Sequence, residues 1–190
     1  MTPNAETGSP LRFAYADPPY IGQAARLYGK HPDYAGEVDH AQLVGRLNRD
    51  YDGWALSASM KSLQYVLSLC PTDVVVLAWH KTSGAPPMGD NRMYSWEPVI
   101  LRGGRRPSSP TRTSLVGGIP LYTFHGAPPG HLVGEKPVWF AKWLFACAGL
   151  RQGDQFVDLF PGSGAMSRAW HAYAYQPDLF APSTNDGSGT

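Results

Sequence analysis

Val157-Asp158-Leu159-Phe160-Pro161-Gly162-Ser163-Gly164 is an apolar run that stops at a proline and turns on two glycines into a new periodic segment. The run from Gln155 to Phe160 has the length and composition of a strand, and the two glycines supply the backbone freedom of a tight turn. The residues after Gly164, as far as about Tyr173, carry helical spacing. Strand, glycine turn and helix together form the unit from which parallel α/β sheets are built. Amides exposed at such a helix start attract a negative group. Many nucleotide-binding units and some ordinary turns share Gly-x-Gly, so a second motif has to decide what this one does.

Working upstream, Arg151 to Asp154 is a polar turn, and Gly149 ends a helix whose Phe140, Leu144 and Ala148 share a face behind Pro137. Near the other end, Leu11 to Ala16 is a short strand that stops at Asp17-Pro18-Pro19-Tyr20, because two prolines cannot continue a ladder. Ile21 to Val38 lacks periodicity and reads as a loop over a site; His31 inside it and His40 just beyond it are given no role. Asp39 can cap a helix bearing Leu43, Leu47 and Tyr51. Gly53 to Ala58 is a strand, and Ser59 can cap the helix of Leu63, Val66, Leu67 and Cys70. Val74 to Trp79 is apolar throughout, as in a strand covered on both faces. Tyr94 to Leu101 is a fourth strand that Pro98 marks as irregular or as an edge. Strand and helix alternate, so the expected fold is an α/β sheet, mostly parallel, within one domain over residues 11–175. Residues 103–134 are a Gly/Pro/Arg-rich excursion from it, and 1–10 and 177–190 are expected to be flexible ends.

Asp17-Pro18-Pro19-Tyr20 carries the chemistry. An exocyclic amine on an aromatic ring is a poor nucleophile, because its lone pair is delocalised into the ring. Acceptors aimed at the amino hydrogens favour localisation of that pair as positive charge develops. Asp17 offers a carboxylate, Pro18 a carbonyl on a backbone of fixed φ, and Tyr20 a flat face for a base that has left its stack. The bland alternative is an Asp-Pro turn with Tyr20 as packing. Two motifs at strand ends of one small sheet are more specific than either, since ligands bind outside the carboxyl ends of such strands.

Bulk properties narrow the classes. Sixteen basic and fifteen acidic residues leave a formal charge of +1, so any attraction to phosphate must be local. Arg102, Arg105, Arg106 and Arg112 are the cluster that offers it. Cys70 and Cys147 lack metal-ligand spacing and read as buried thiols of a reducing compartment. No His/Cys/Asp cluster suggests a metal. Val138 to Leu150 is too short to span a bilayer and contains Lys142, and the N-terminus has no signal pattern. A soluble cytoplasmic protein without membrane contact is expected. The tryptophans Trp54, Trp79, Trp139, Trp143 and Trp170 read as core; His80-Lys81 could face the crevice, with a solvent-facing pair at a strand end the favoured reading.

The chain resembles the amino-methyltransferases that act on DNA and RNA bases, and more narrowly their circularly permuted β class, in which Asp-Pro-Pro-Tyr precedes the glycine motif. Glu135-Lys136-Pro137 resembles that class's Lys-Pro element, Trp96-Glu97-Pro98 its aromatic-Glu-Pro strand, and Gly162-Ser163-Gly164-Ala165 its Gly-Ser-Gly-Thr. The resemblance covers roughly residues 11–173. It implies a Rossmann-like methyltransferase sheet using S-adenosylmethionine (SAM) and releasing S-adenosylhomocysteine. Asp17, Pro18, Pro19 and Tyr20 would hold the target base. Ala16, Asp17, Lys136 and Pro137 would border the cofactor on one side, and Asp158, Phe160, Gly162, Ser163 and Gly164 on the other. The implied activity is methylation of adenine N6 in DNA. Alternatives are cytosine N4, adenine in RNA, or a catalytically inactive subunit that binds nucleic acid. Glutamine methylation usually goes with Asn at the first motif position.

Two departures from the family carry expectations of their own. Nothing after Gly164 reads as a strand ending in the acidic residue that holds the cofactor ribose, Asp178 being the nearby carboxylate. The sheet is therefore expected to be truncated at one edge, with weak cofactor affinity or a homo- or heterodimer completing the site. A full target-recognition module is also missing, and residues 103–134 stand as its reduced counterpart, or as a solvated loop.

Overall fold

Phe13 and Tyr15 point to one side of β1 (Arg12–Ala16) and Ala14 and Ala16 to the other, and all four are buried. A strand so enclosed needs neighbours on both edges and layers on both faces. The computed structural model, which describes residues 8–22, 36–81, 94–117 and 135–175, supplies all of them. β1 runs parallel to β2 (Gly53–Ser57) on one edge and to β6 (Gln155–Asp158) on the other. β4 (Trp96–Gly103) lies antiparallel between β2 and β3 (Val75–His80), and β5 (Ser114–Val116) pairs parallel with β3. The order is β5-β3-β4-β2-β1-β6, and β4 alone runs against the rest. The carboxyl ends of five strands and the amino end of β4 therefore share one side of the sheet.

Helices cover both faces. α1 (His40–Asp50) and α2 (Leu63–Leu69) pack on the face of Ala14, Trp54, Leu56 and Ile100. α3 (Val138–Cys147) and α4 (Ala165–Ala174) pack on the face of Phe13, Tyr15, Val99 and Leu101. Phe145 anchors the second layer, with ring centroids 5.1 Å from Phe156 and 5.2 Å from both Trp170 and Tyr173. Asp39 caps α1 as expected, accepting from the amides of Ala41 and Gln42.

Several expectations are corrected. Pro98 marks neither an edge nor an irregularity: β4 is interior. Pro98 O accepts from Ala58 N at 3.0 Å, so its missing N–H also faces β2, beyond the last residue of that strand, and one ladder bond is lost at a corner. β3 is not covered throughout, since Val75 and Val76 at its start are exposed, beyond the reach of β5. Ser59 closes the turn before α2 through Ser62 rather than capping the helix. β6 ends at Asp158, whose carboxylate accepts from Phe160 N at 3.2 Å and bends the chain. Ser114–Val116, within the expected excursion, returns to the sheet as β5. His40 belongs to α1 and is buried. Gly8 and Ser9 are pinned, Arg151 donating to Gly8 O and Arg105 to Ser9 O.

His31, residues 118–134, Asp178 and the 177–190 tail lie outside the described residues. Among the described residues no helix is long and apolar enough to cross a membrane.

Candidate active site

Counting by twos along five of the six strands on the α3/α4 face reaches a polar residue at the same end of the sheet. Phe13 and Tyr15 lead to Asp17, Ala55 to Ser57, Leu77 and Trp79 to Lys81, Leu101 and Val99 to Glu97, and Phe156 to Asp158. The apolar layer thus gives way to a polar rim, and Lys136, just before α3, descends into it.

The rim is a closed charge network. Lys136 Nζ donates to Asp17 Oδ2 at 2.6 Å and lies 3.1 Å from Glu97 Oε1. Lys81 Nζ donates to Glu97 Oε2 at 2.5 Å and stands 4.6 Å over the Trp79 ring. The Tyr20 hydroxyl faces the same carboxylate and favours its ionised form. Tyr15 Oη and Ser57 Oγ meet 2.9 Å apart beneath. Lys136 and Glu97 are buried, while the Asp17 side chain keeps 20% of its exposure and opens to the crevice.

Two ammoniums and two carboxylates balance, but not evenly. Burial alone would raise Glu97, yet Lys136 and Lys81 together outweigh it and hold its carboxyl at about 2. Asp17 shares Lys136 and has no second partner of that kind. Burial therefore prevails there, the Glu97 charge adds to it, and its carboxyl is raised. Lys136 is itself raised despite its burial, because Asp17 and Glu97 both favour its ammonium. Neighbouring carboxyls driven apart in this way mark acid–base and electrostatic sites.

Beside this network the β6–α4 turn forms a cradle. Gly162 and Gly164 take φ of 49° and 75°, values that disfavour side chains, and a Cβ at Gly162 would meet nothing closer than Phe160 O at 4.0 Å. No side chain caps α4, so its first-turn amides face outward, ready for an anion. Arg168 Nη1 bonds Ser163 O at 2.5 Å and braces the turn. Asp158, half-buried between cradle and network, is pushed up to about 6 by burial and by the Asp17 charge.

The residues singled out in the sequence thus fall into two groups. Asp17, Tyr20 and Lys136 meet in one cluster, and Ala16 and the buried Pro18 abut it along the chain. Asp158, Phe160 and the glycine turn adjoin it across the β1–β6 pair, and Pro137 is the N-cap of α3. The arginines stand elsewhere. Arg102 pairs with Asp73, and Arg105 makes a two-pronged bond to Asp154 at 2.6 and 2.9 Å near the strands' opposite ends. Arg106 and Arg112 are exposed. Glu97 and Lys81 are site residues that the sequence reading left without a role.

Two solved structures share this architecture. A crystal structure of the M1.HpyAVI–SAM complex aligns with a TM-score of 0.55 at 13% identity, over 87% of this chain and 79% of that one. A crystal structure of M1.HpyAVI aligns at 0.51 and 11%, over 87% and 77%. The fold is a Rossmann-like, mostly parallel α/β sheet, as in these two structures. No family model and no curated protein matches the chain.

Proposed function

We propose that the chain is a SAM-dependent methyltransferase acting on the exocyclic amine of a nucleic-acid base, with adenine N6 in DNA as first target and the β-class permutation as its topology. The observation that carries this reading is the juxtaposition of a half-open carboxylate, Asp17, with an uncapped helix start one strand away. The M1.HpyAVI neighbour, whose crystal structure holds SAM, agrees with it. The α4 amides and the open space over Gly162 fit the cofactor's methionine carboxylate, and Asp158 and Phe160 line the approach. When bound, SAM supplies an electrophilic methyl on a sulfonium. Asp17 and the Pro18 carbonyl accept from the two amino hydrogens and localise the nitrogen lone pair. Tyr20 stacks on the base. Transfer of that methyl would leave the amine positively charged, and Asp17, which opens to the crevice, would take its surplus proton and pass it to water.

Arg105 is engaged by Asp154, and Arg102 by Asp73. We therefore keep the phosphate role for Arg106 and Arg112, in a reduced recognition segment over residues 103–134 of a single domain.

β6 is an edge strand among the described residues, so nothing there walls the adenosine end of the cradle. That observation favours an open pocket, one closed by a second subunit, or a non-catalytic scaffold. Calorimetric titration with SAM separates these. The proposal expects a dissociation constant of about 1 µM or weaker for the isolated chain. Submicromolar binding contradicts the open pocket, and no binding at millimolar SAM favours the scaffold.

A further inference from the structure

Glu97 is a buried charge for which the reaction as described has no task. Its Oε2 is taken by Lys81, but Oε1, although 3.1 Å from Lys136 Nζ, lies off the hydrogen-bond direction and has no hydrogen-bond partner. Lys136 spends its hydrogen bond on Asp17 Oδ2 instead, at 2.6 Å. An ammonium at that distance competes with any amino group that needs the same carboxylate, and it draws off the electron density that makes Asp17 a strong acceptor. It cannot leave for water, because it is enclosed. It can only exchange one buried carboxylate for another.

We propose that Lys136 is handed from Asp17 to Glu97 Oε1 when the target amine arrives, and that Glu97 is the positioning residue that receives it. The transfer needs only a turn of the terminal torsion, since Nζ already stands between the two acceptors. Charge stays paired throughout, so the exchange avoids stranding an ion in the interior. Lys81, held between Glu97 and the Trp79 ring, keeps Glu97 ionised and ready. The identity of the displacing group rests on the proposed methyl transfer. The hand-over itself is testable without it.

A double-mutant cycle in the full chain tests the exchange. Asp17→Asn and Glu97→Gln each leave Lys136 one carboxylate, so each should lower the urea midpoint modestly. Together they leave a buried ammonium with none, and the loss should exceed the sum of the two. Lys136→Met added to the pair should restore folding, which keeps the cycle readable if the double variant does not fold. In Asp17→Asn, the Nζ resonance of Lys136 in ¹⁵N-lysine-labelled protein should stay protected from solvent exchange. Additive losses, or a Nζ signal that vanishes in Asp17→Asn, would overturn the hand-over. In the transfer assay, Glu97→Gln should lower kcat by about tenfold, as outer-shell changes do, with KM for nucleic acid unchanged. An unchanged kcat would also overturn it. If wild type transfers no methyl, the proposed function fails, and the cycle still decides whether Glu97 receives Lys136.

Discussion

Asp17 and Glu97 lie under one ammonium group, and what separates them is how many further partners each has. Glu97 has Lys81 in addition to Lys136, and is held low. Asp17 has Lys136 alone, so burial and the Glu97 charge prevail and its carboxyl is raised. Asp158 shows the same economy of partners. With its carboxyl pushed up to about 6, the folded chain binds that proton more tightly than the unfolded chain does. Stability is therefore lost as pH rises from the ordinary carboxylate range through about 6. Asp158→Asn keeps the oxygen that accepts from Phe160 N and removes the charge. It should raise the melting temperature at about pH 8, while below about pH 4 the gain should vanish, since wild type is then neutral as well. A gain independent of pH would mean that burial does not govern this carboxyl. Asp17 and Lys136 were legible in the sequence because each stands in a motif. Glu97 stands in a strand resemblance that assigns it no task, and at Lys81 the sequence favours solvent over the crevice. Their signal was parity: each lies an even number of residues from a core position on its strand, on the same face as Tyr15. That count requires the strand pairing, which single-strand periodicity does not supply.

At the scale of elements, pairing overrode local composition. β4 carries a proline and is nonetheless interior, because Pro98 turns its N–H side towards the end of β2, where one bond is missing anyway. β3 is apolar from Val75 to Trp79 and nonetheless exposed at Val75 and Val76, where β5, which pairs only its last three residues, does not reach. Neither outcome follows from the segment alone. Asp39 capped α1 as read, since a cap is a local device. The arginines divide in the same way. Arg105 joins the start of β6, the turn after β4 and the chain before β1 through Asp154, which also accepts from Leu11 N and Arg151 N. The Asp154 side chain is 1% exposed, so Arg105→Ala should cost about 3 kcal/mol in urea denaturation, as expected when one partner of a buried pair is removed. Arg106→Ala and Arg112→Ala should leave the midpoint in place and weaken nucleic-acid binding in fluorescence anisotropy, more at low salt than at high. An unchanged midpoint for Arg105→Ala would return that arginine to the candidate phosphate contacts.

Across the whole molecule, five parallel strands and one reversed strand bring every charged group of the site to one side of the sheet, on the face covered by α3 and α4. The alternation of strand and helix was legible from the sequence, as was the convergence of two motifs at strand ends. The place of β4 between β2 and β3, and the return of β5, were not, because the intervening residues carry no periodicity that fixes a neighbour. The central claim is that this rim methylates a base. Labelled methyl from SAM should be followed onto unmethylated duplex DNA, single-stranded DNA and RNA by nucleoside analysis, with Asp17→Ala alongside. Label in N6-methyladenine, falling by about 10²-fold or more in Asp17→Ala as when a transition-state hydrogen bond is removed, is the predicted result. No label on any of the three substrates, from a chain that binds SAM, would contradict it.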